Sequence, residues 1–231
     1  MKTLKELLEE VIHQDCFIVP DKYKRAIITE EQKDHTDGST WTQKLTITDL
    51  DGDEIILTFD HSSTQGYSQF IKGNSDNCIA KSCDYILLKK EADIWQAYFG
   101  ELKLGTASFT SESVKKQISG TEHFLRYIAN LINDVENNAD LLDINAHYLC
   151  IHKKAPITQQ ERDAFHKKNA KLKAMGMQPI ASNTVFKNKS FDFCDQELVY
   201  QIGLPYSKDN PSQVLKLGEF QAKYLEEQIN A

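Results

Sequence analysis

The chain reads as a mixed α/β domain, a central sheet flanked by helices, and three observations lead there. Apolar residues recur at three- and four-residue spacing near the N-terminus and again over roughly 111–137, the mark of helices with one buried face. Alternating or continuously apolar runs bounded by turn residues lie on both sides of the second of these segments. Their order is helix, strands, helix, strand, helix, strand, which suits a sheet with helices on its faces. A chain of 231 residues without internal repeats is of a size for one domain, here 1–231, with 206–231 offering a C-terminal docking helix.

Taken in order, the first helix covers about Thr3 to His13, with Leu4, Leu7, Leu8, Val11 and Ile12 on one face. Residues 15–40 give weaker signals: Cys16 to Val19 is a short apolar run, and Glu30 to Thr40 reads as an exposed polar loop. Lys44 to Thr48 and Glu54 to Phe59 read as a hairpin turned by Asp51-Gly52-Asp53. These aspartates lack the spacing of a calcium loop, and their flanks read as strands. After a polar stretch over 62–81, Cys83 to Leu88 and Ile94 to Leu104 form a second hairpin around the charged turn Lys89 to Asp93. The long helix from about Ser111 to Asn137 buries Val114, Ile118, Leu125, Ile128, Ile132 and Val135. His147 to His152 is a strand and Thr158 to Ala174 a helix closed by Gly176. Phe191 to Phe193 and Leu198 to Ile202 supply the last strands, and Gly218 to Gln228 a final short helix.

Composition removes several classes. With 40% hydrophobic and 26% charged residues the chain is ordinary for a globular protein. No apolar run approaches the roughly 20 residues that span a bilayer, and the opening MKTLKELLEEVIHQD lacks a secretory apolar core. A cytoplasmic protein with no membrane partner is the expectation. Five cysteines, an odd number with no C-x-x-C pair, argue against a disulfide framework or a structural zinc site. Cys150 and Cys194 read as small buried hydrophobes on strands. The net charge of −7 speaks against coating nucleic acid by charge alone, although a basic groove can be local. Arg162, Lys167, Lys168, Lys171 and Lys173 make the helix at 158–174 the best local place for phosphate contacts, with a plain solvated face as the alternative. No Gly-rich phosphate loop, G-x-S-x-G elbow or H-E-x-x-H is present.

The region that carries chemistry is Cys83-Asp84-Tyr85-Ile86-Leu87-Leu88 followed by Trp95 to Lys103. An acid opens one apolar strand and an E-x-K ends the next. Alternate residues of a strand share a face, so Glu101 and Lys103 project together, and hairpin pairing brings Asp84 beside them. Two like charges against an apolar core are costly unless a cation joins them, and carboxylate oxygens suit magnesium or manganese. Asp84 and Glu101 are then the expected metal ligands. Lys103 either positions the attacking water or stabilises charge on the phosphorus oxygens. Gly100 leaves room for a nucleic-acid backbone. A similar triplet, Glu31-Gln32-Lys33 downstream of Asp21, lies in a wholly polar stretch with no apolar strand to align it. The bland alternative at 101–103 is a surface ion pair on an edge strand.

The residues "CDYILL…YFGELKLG", followed by an amphipathic helix carrying Lys116-Gln117, resemble the PD-(D/E)xK nuclease superfamily. The resemblance covers roughly 1–152, most firmly 44–137, and implies a restriction-endonuclease-like fold. It gives Asp84 the family's aspartate, Glu101 the second acid and Lys103 the lysine. It sets Gln117 where many members carry a polar residue near the active site. Cys83 stands where the motif's name has proline. Many members add a glutamate from the first helix, for which Glu10 is the candidate beside Glu9, and Asp60 is a further candidate acid. The implied activity is magnesium- or manganese-dependent cleavage of DNA, in concert with a helicase, sensor or regulatory subunit or as a homo-oligomer. Bacterial antiphage defence or restriction is the implied setting. The rivals are the same fold with a degenerate site serving as a binding or regulatory subunit, and a nuclease acting on RNA or single strands.

Overall fold

The computed structural model describes residues 2–33, 40–59, 82–103, 112–154, 167, 170–171, 173–175, 185–190, 198–205 and 212–218. Among them the chain is mixed α/β, with two labelled α-helices and two mixed sheets. Helix α1 (Leu4–Val11) begins where Thr3 and Glu6 form a reciprocal capping box. The Glu6 carboxylate accepts the Thr3 N–H at 2.7 Å, and the Thr3 hydroxyl accepts the Glu6 N–H. Leu4, Leu7 and Leu8 are its buried face. Helix α2 (Glu112–Glu136) buries Val114, Ile118, Leu125, Ile128 and Ile132, as the spacing predicts, while Val135 at its end is exposed.

The larger sheet has the strand order β3-β4-β5-β6-β8-β7. Strands β3 (Ile55–Leu57), β4 (Tyr85–Glu91) and β5 (Ile94–Lys103) form an antiparallel run. After α2 the chain returns as β6 (Ile144–Lys154), parallel to β5, with β8 (Leu198–Pro205) parallel to β6 and β7 (Val185–Ser190) antiparallel at the edge. A smaller sheet joins β1 (Ala26–Lys33), β2 (Thr40–Thr48) and β9 (Ser212–Lys216) in the order β1-β2-β9.

Two apolar cores follow from strand alternation. On one face of the large sheet, Ile86, Leu88, Ala97 and Phe99 pack with the buried faces of α1 and α2. On the other, Tyr85, Leu87, Tyr98, Leu102 and Leu149 pack with Ala26, Ile28, Leu45, Ile47 and Leu215 of the small sheet. Strands β4 and β5 lie between helices and a second sheet, which is why their centres read as unbroken apolar runs.

Two expectations fail here. Glu30 to Lys33 are not loop but the second half of β1, paired antiparallel with β2 from Ala26↔Ile47 to Lys33↔Thr40. The segments around 44–48 and 54–59 do not pair with each other, because β2 belongs to the small sheet and β3 to the large one. The turn between them crosses from sheet to sheet: Asp49 and Gly52 adopt positive φ (63° and 111°), and the Glu54 carboxylate accepts the N–H groups of Asp51 and Gly52, each at 2.9 Å. Of the helix expected at 158–174, the described residues Lys167, Ala170, Lys171, Lys173 and Ala174 are helical and exposed. Residues 212–216, within the segment expected to dock as a helix, form β9 parallel to β2. Phe191 to Phe193, Cys194, Asp60 and most of the final helix lie outside the described residues. No described helix is long and apolar enough to cross a membrane.

Candidate metal centre

Strand register places the candidate acids. Tyr85 opens β4 opposite Gly100 of β5, so Asp84 and Glu101, one step further on, face each other across the same pair of strands. Asp84 is 4% exposed and Glu101 is fully buried. The Asp84 carboxylate is fixed by the main chain of the opposite strand, accepting the Leu102 N–H at 2.5 Å through Oδ2. Lys103, on the same side of β5 as Glu101, donates to Glu101 Oε1 and is about one-fifth exposed. It stands at the rim with its ammonium turned to the buried acid.

The helix is tied to this end of the sheet through Thr121. Its hydroxyl, fully buried, accepts the N–H of Cys83 at 2.7 Å and donates to the carbonyl of Gln117 at 2.9 Å. The turn of α2 that carries Gln117 is thereby linked through Thr121 to the residue preceding Asp84, and Gln117 itself is half-buried. Gly100 has a different reason from the one the sequence suggests. The Tyr85 ring lies over it, and a Cβ built there would fall on that ring. The glycine makes room for Tyr85, itself 1% exposed.

A fourth charged group was missed in the sequence. Glu30, on β1, shares a face with Ala26 and Ile28, which are buried between the two sheets, and its carboxyl meets that of Asp84. Burial, then the Glu101 charge and the Glu30 carboxyl, push Asp84 well above the usual carboxylate range, with Lys103 pulling the other way. Burial also opposes the charge on Lys103. Glu101, Asp84 and Glu30 outweigh it and hold the ammonium above the ordinary lysine range. Glu10 makes its contact elsewhere: it is half-exposed on α1 and pairs with Lys2 Nζ at 2.8 Å. Glu9 faces Lys5 at 3.8 Å.

Buried carboxylates with a single lysine form an oxygen-rich, negatively charged set that suits a hard divalent cation. Asp84 and Glu101 are the two of them that lie opposite each other and could contact one. The chain has a second group of acids, Asp51, Asp53 and Glu54 in the β2–β3 turn, whose ligand atoms lie within 4.8 Å of one another. There the partners are already present. Glu54 takes two backbone N–H groups, and Lys89 Nζ lies 2.9 Å from Asp51 and 3.7 Å from Glu54. That group closes a turn, and it is the group of three acids among the described residues whose ligand atoms are close enough together to share an ion.

Cys83 and Cys150 are buried free thiols, both pushed up by burial, and Cys150 sits opposite Glu101 on β6 as a small apolar side chain. No family model, curated protein or solved structure matches the chain.

Proposed function

We propose that this chain is a metal-dependent nuclease of the PD-(D/E)xK kind, hydrolysing phosphodiester bonds in DNA with magnesium or manganese. The observation that carries the reading is the burial of Asp84 and Glu101 face to face, with Lys103 bonded to Glu101 at the rim. A surface ion pair on an edge strand, the bland alternative, would have no such acid beneath it, and β5 is flanked by β4 and β6. The large sheet, built on the β4–β5 hairpin between α1 and α2 and followed by the further strand β6, agrees with the helix, hairpin-based sheet, helix and strand that the family resemblance implies, while β1 and β2, also between the helices, form the small sheet.

In this reading Asp84 and Glu101 hold the ion, which when bound polarises the phosphodiester and makes a water easier to deprotonate. Burial and the neighbouring acids hold the Asp84 pKa well above the usual carboxylate range, and a cation held there would favour its ionised form. The Leu102 N–H keeps Asp84 Oδ2 in place, so the carboxylate needs little reorganisation. Lys103 stays charged beside its carboxylates, which fits it to stabilise negative charge growing on the phosphorus oxygens better than to accept a proton. The exposed Lys167, Lys171 and Lys173 are available for contacts to the DNA backbone.

The test is cleavage of plasmid and linear DNA in manganese by wild type, Glu101→Ala and Lys103→Ala. The expected result is cleavage by wild type and a loss of about 100-fold or more in each variant. Equal cleavage by all three contradicts the assignment.

A further inference from the structure

Asp84 stands where the sheet gives its main chain least support. The ladder of β4 with β5 ends at Tyr85↔Gly100, and that with β3 ends at Leu57↔Ile86. Residues 83 and 84 therefore lie beyond the last pair on both sides, and backbone outside a ladder needs other hydrogen-bond partners. The Leu102 N–H fixes the Asp84 carboxylate from β5. The main chain is pinned from a third element. The Cys83 N–H donates to the Thr121 hydroxyl of α2 at 2.7 Å, although the two residues are 38 apart in sequence.

Thr121 is fitted to that bond. It is fully buried, on the helix face that also buries Ile118 and Leu125. Its hydroxyl proton goes to the Gln117 carbonyl one turn earlier, at 2.9 Å, which leaves an oxygen lone pair for the Cys83 N–H. Threonines inside helices often bond the carbonyl four residues back, so that bond alone signifies little. The contact with Cys83 is the one that ties helix to strand. A valine would fill the same space and leave a buried N–H without its acceptor, since Cys83 is only 1% exposed.

We propose that Thr121 is a positioning residue of the centre: by holding the Cys83 N–H, its hydroxyl sets where Asp84 stands opposite Glu101 and so couples α2 to metal binding. The proposal rests on the metal-centre reading of Asp84 and Glu101. Groups that orient metal ligands from behind act on affinity without touching the ion.

Binding of Mn²⁺ alone is measured by titration calorimetry on wild type, Thr121→Val, Thr121→Ser, Glu101→Gln and Ile132→Val, at a temperature where each is folded. Ile132→Val trims the buried face of α2 away from the centre and controls for plain loss of stability. Thr121→Val is expected to weaken Mn²⁺ binding about tenfold or more. Thr121→Ser, which keeps the hydroxyl, should bind as wild type does, and so should Ile132→Val despite a lower melting temperature. If Thr121→Val does not fold, Thr121→Cys takes its place, because a thiol is a weak hydrogen-bonding group and should weaken binding in the same direction. Wild-type affinity in the Val or Cys variant, with binding lost in Glu101→Gln, overturns the role of Thr121 and leaves the centre standing. Equal weakening in Ile132→Val also overturns it, since affinity would then follow stability alone. No Mn²⁺ binding by wild type overturns the centre and Thr121 together.

Discussion

At the turn between β2 and β3, Asp51 and Asp53 stand in solvent while Glu54 is buried against two backbone N–H groups and near Lys89. At the ends of β4 and β5, Asp84 and Glu101 are buried opposite each other, with Glu30 meeting Asp84 and one lysine at the rim. Both places hold acids close together, yet donors answer the acids at the turn, whereas Asp84 and Glu101 face each other with one lysine between them and solvent. Electrostatics carries the same contrast. The Lys89 ammonium holds Asp51 below the usual carboxylate range, whereas burial and neighbouring acids hold Asp84 well above it. Proximity of acids alone does not mark a metal site. What matters is whether the protein supplies its own counter-charge and N–H donors.

The glycines of the two regions provide the largest test of the contrast. Gly100 is hemmed by the Tyr85 ring, whereas Gly52 has open space around it and needs its backbone freedom only for a φ of 111°. Gly100→Ala should destabilise the fold by about 3 kcal/mol through overpacking, and Gly52→Ala by about 1 kcal/mol through backbone strain. Urea denaturation measures both. Equal losses would mean that the strand ends are no more tightly packed than the turn.

A pH series comes next. Burial and the neighbouring acids raise the folded-state pKa of Asp84 well above the value of about 3.9 that it has in the unfolded chain. More protons are bound in the folded state, so Asp84's contribution is fullest below that value and falls as pH rises toward the folded pKa. The same proton competes with a metal. Apparent Mn²⁺ affinity should therefore climb with pH, and binding should release a proton, read as a buffer-dependent enthalpy in calorimetry. Binding governed by the turn acids would be flat through neutral pH, because Asp51 is already ionised there.

Smaller still is the effect expected of Glu54→Gln. It keeps one acceptor for the backbone N–H groups and loses a charge near Lys89, so a loss of about 1–2 kcal/mol in stability is expected, with Mn²⁺ affinity unchanged. A fall in affinity would move the centre to the turn.

Most of what brings Asp84 and Glu101 together was legible in the sequence because it rests on local pattern. The stripes of α1 and α2, the apolar runs of β4 and β5 and the charged turn between them fix the hairpin, and hairpin register alone brings Asp84 to Glu101. Glu30 was hidden for a physical reason. In Thr29-Glu30-Glu31-Gln32 the position that continues the inward face of Ala26 and Ile28 carries a charge, so the strand loses the apolar alternation that would reveal it. The β2–β3 connection misled in another way. Asp51-Gly52-Asp53 announces a turn, but nothing local states that the next strand joins a different sheet. Gly100 was read as room for a ligand because Tyr85, fifteen residues earlier in sequence, becomes its neighbour only through the pairing of β4 with β5.

The most direct measurement is melting temperature with and without Mn²⁺ for wild type, Asp53→Asn and Glu101→Gln. An ion that binds only the folded state raises the melting temperature. The account predicts a rise in wild type and in Asp53→Asn and none in Glu101→Gln. A rise that survives in Glu101→Gln and disappears in Asp53→Asn would contradict it.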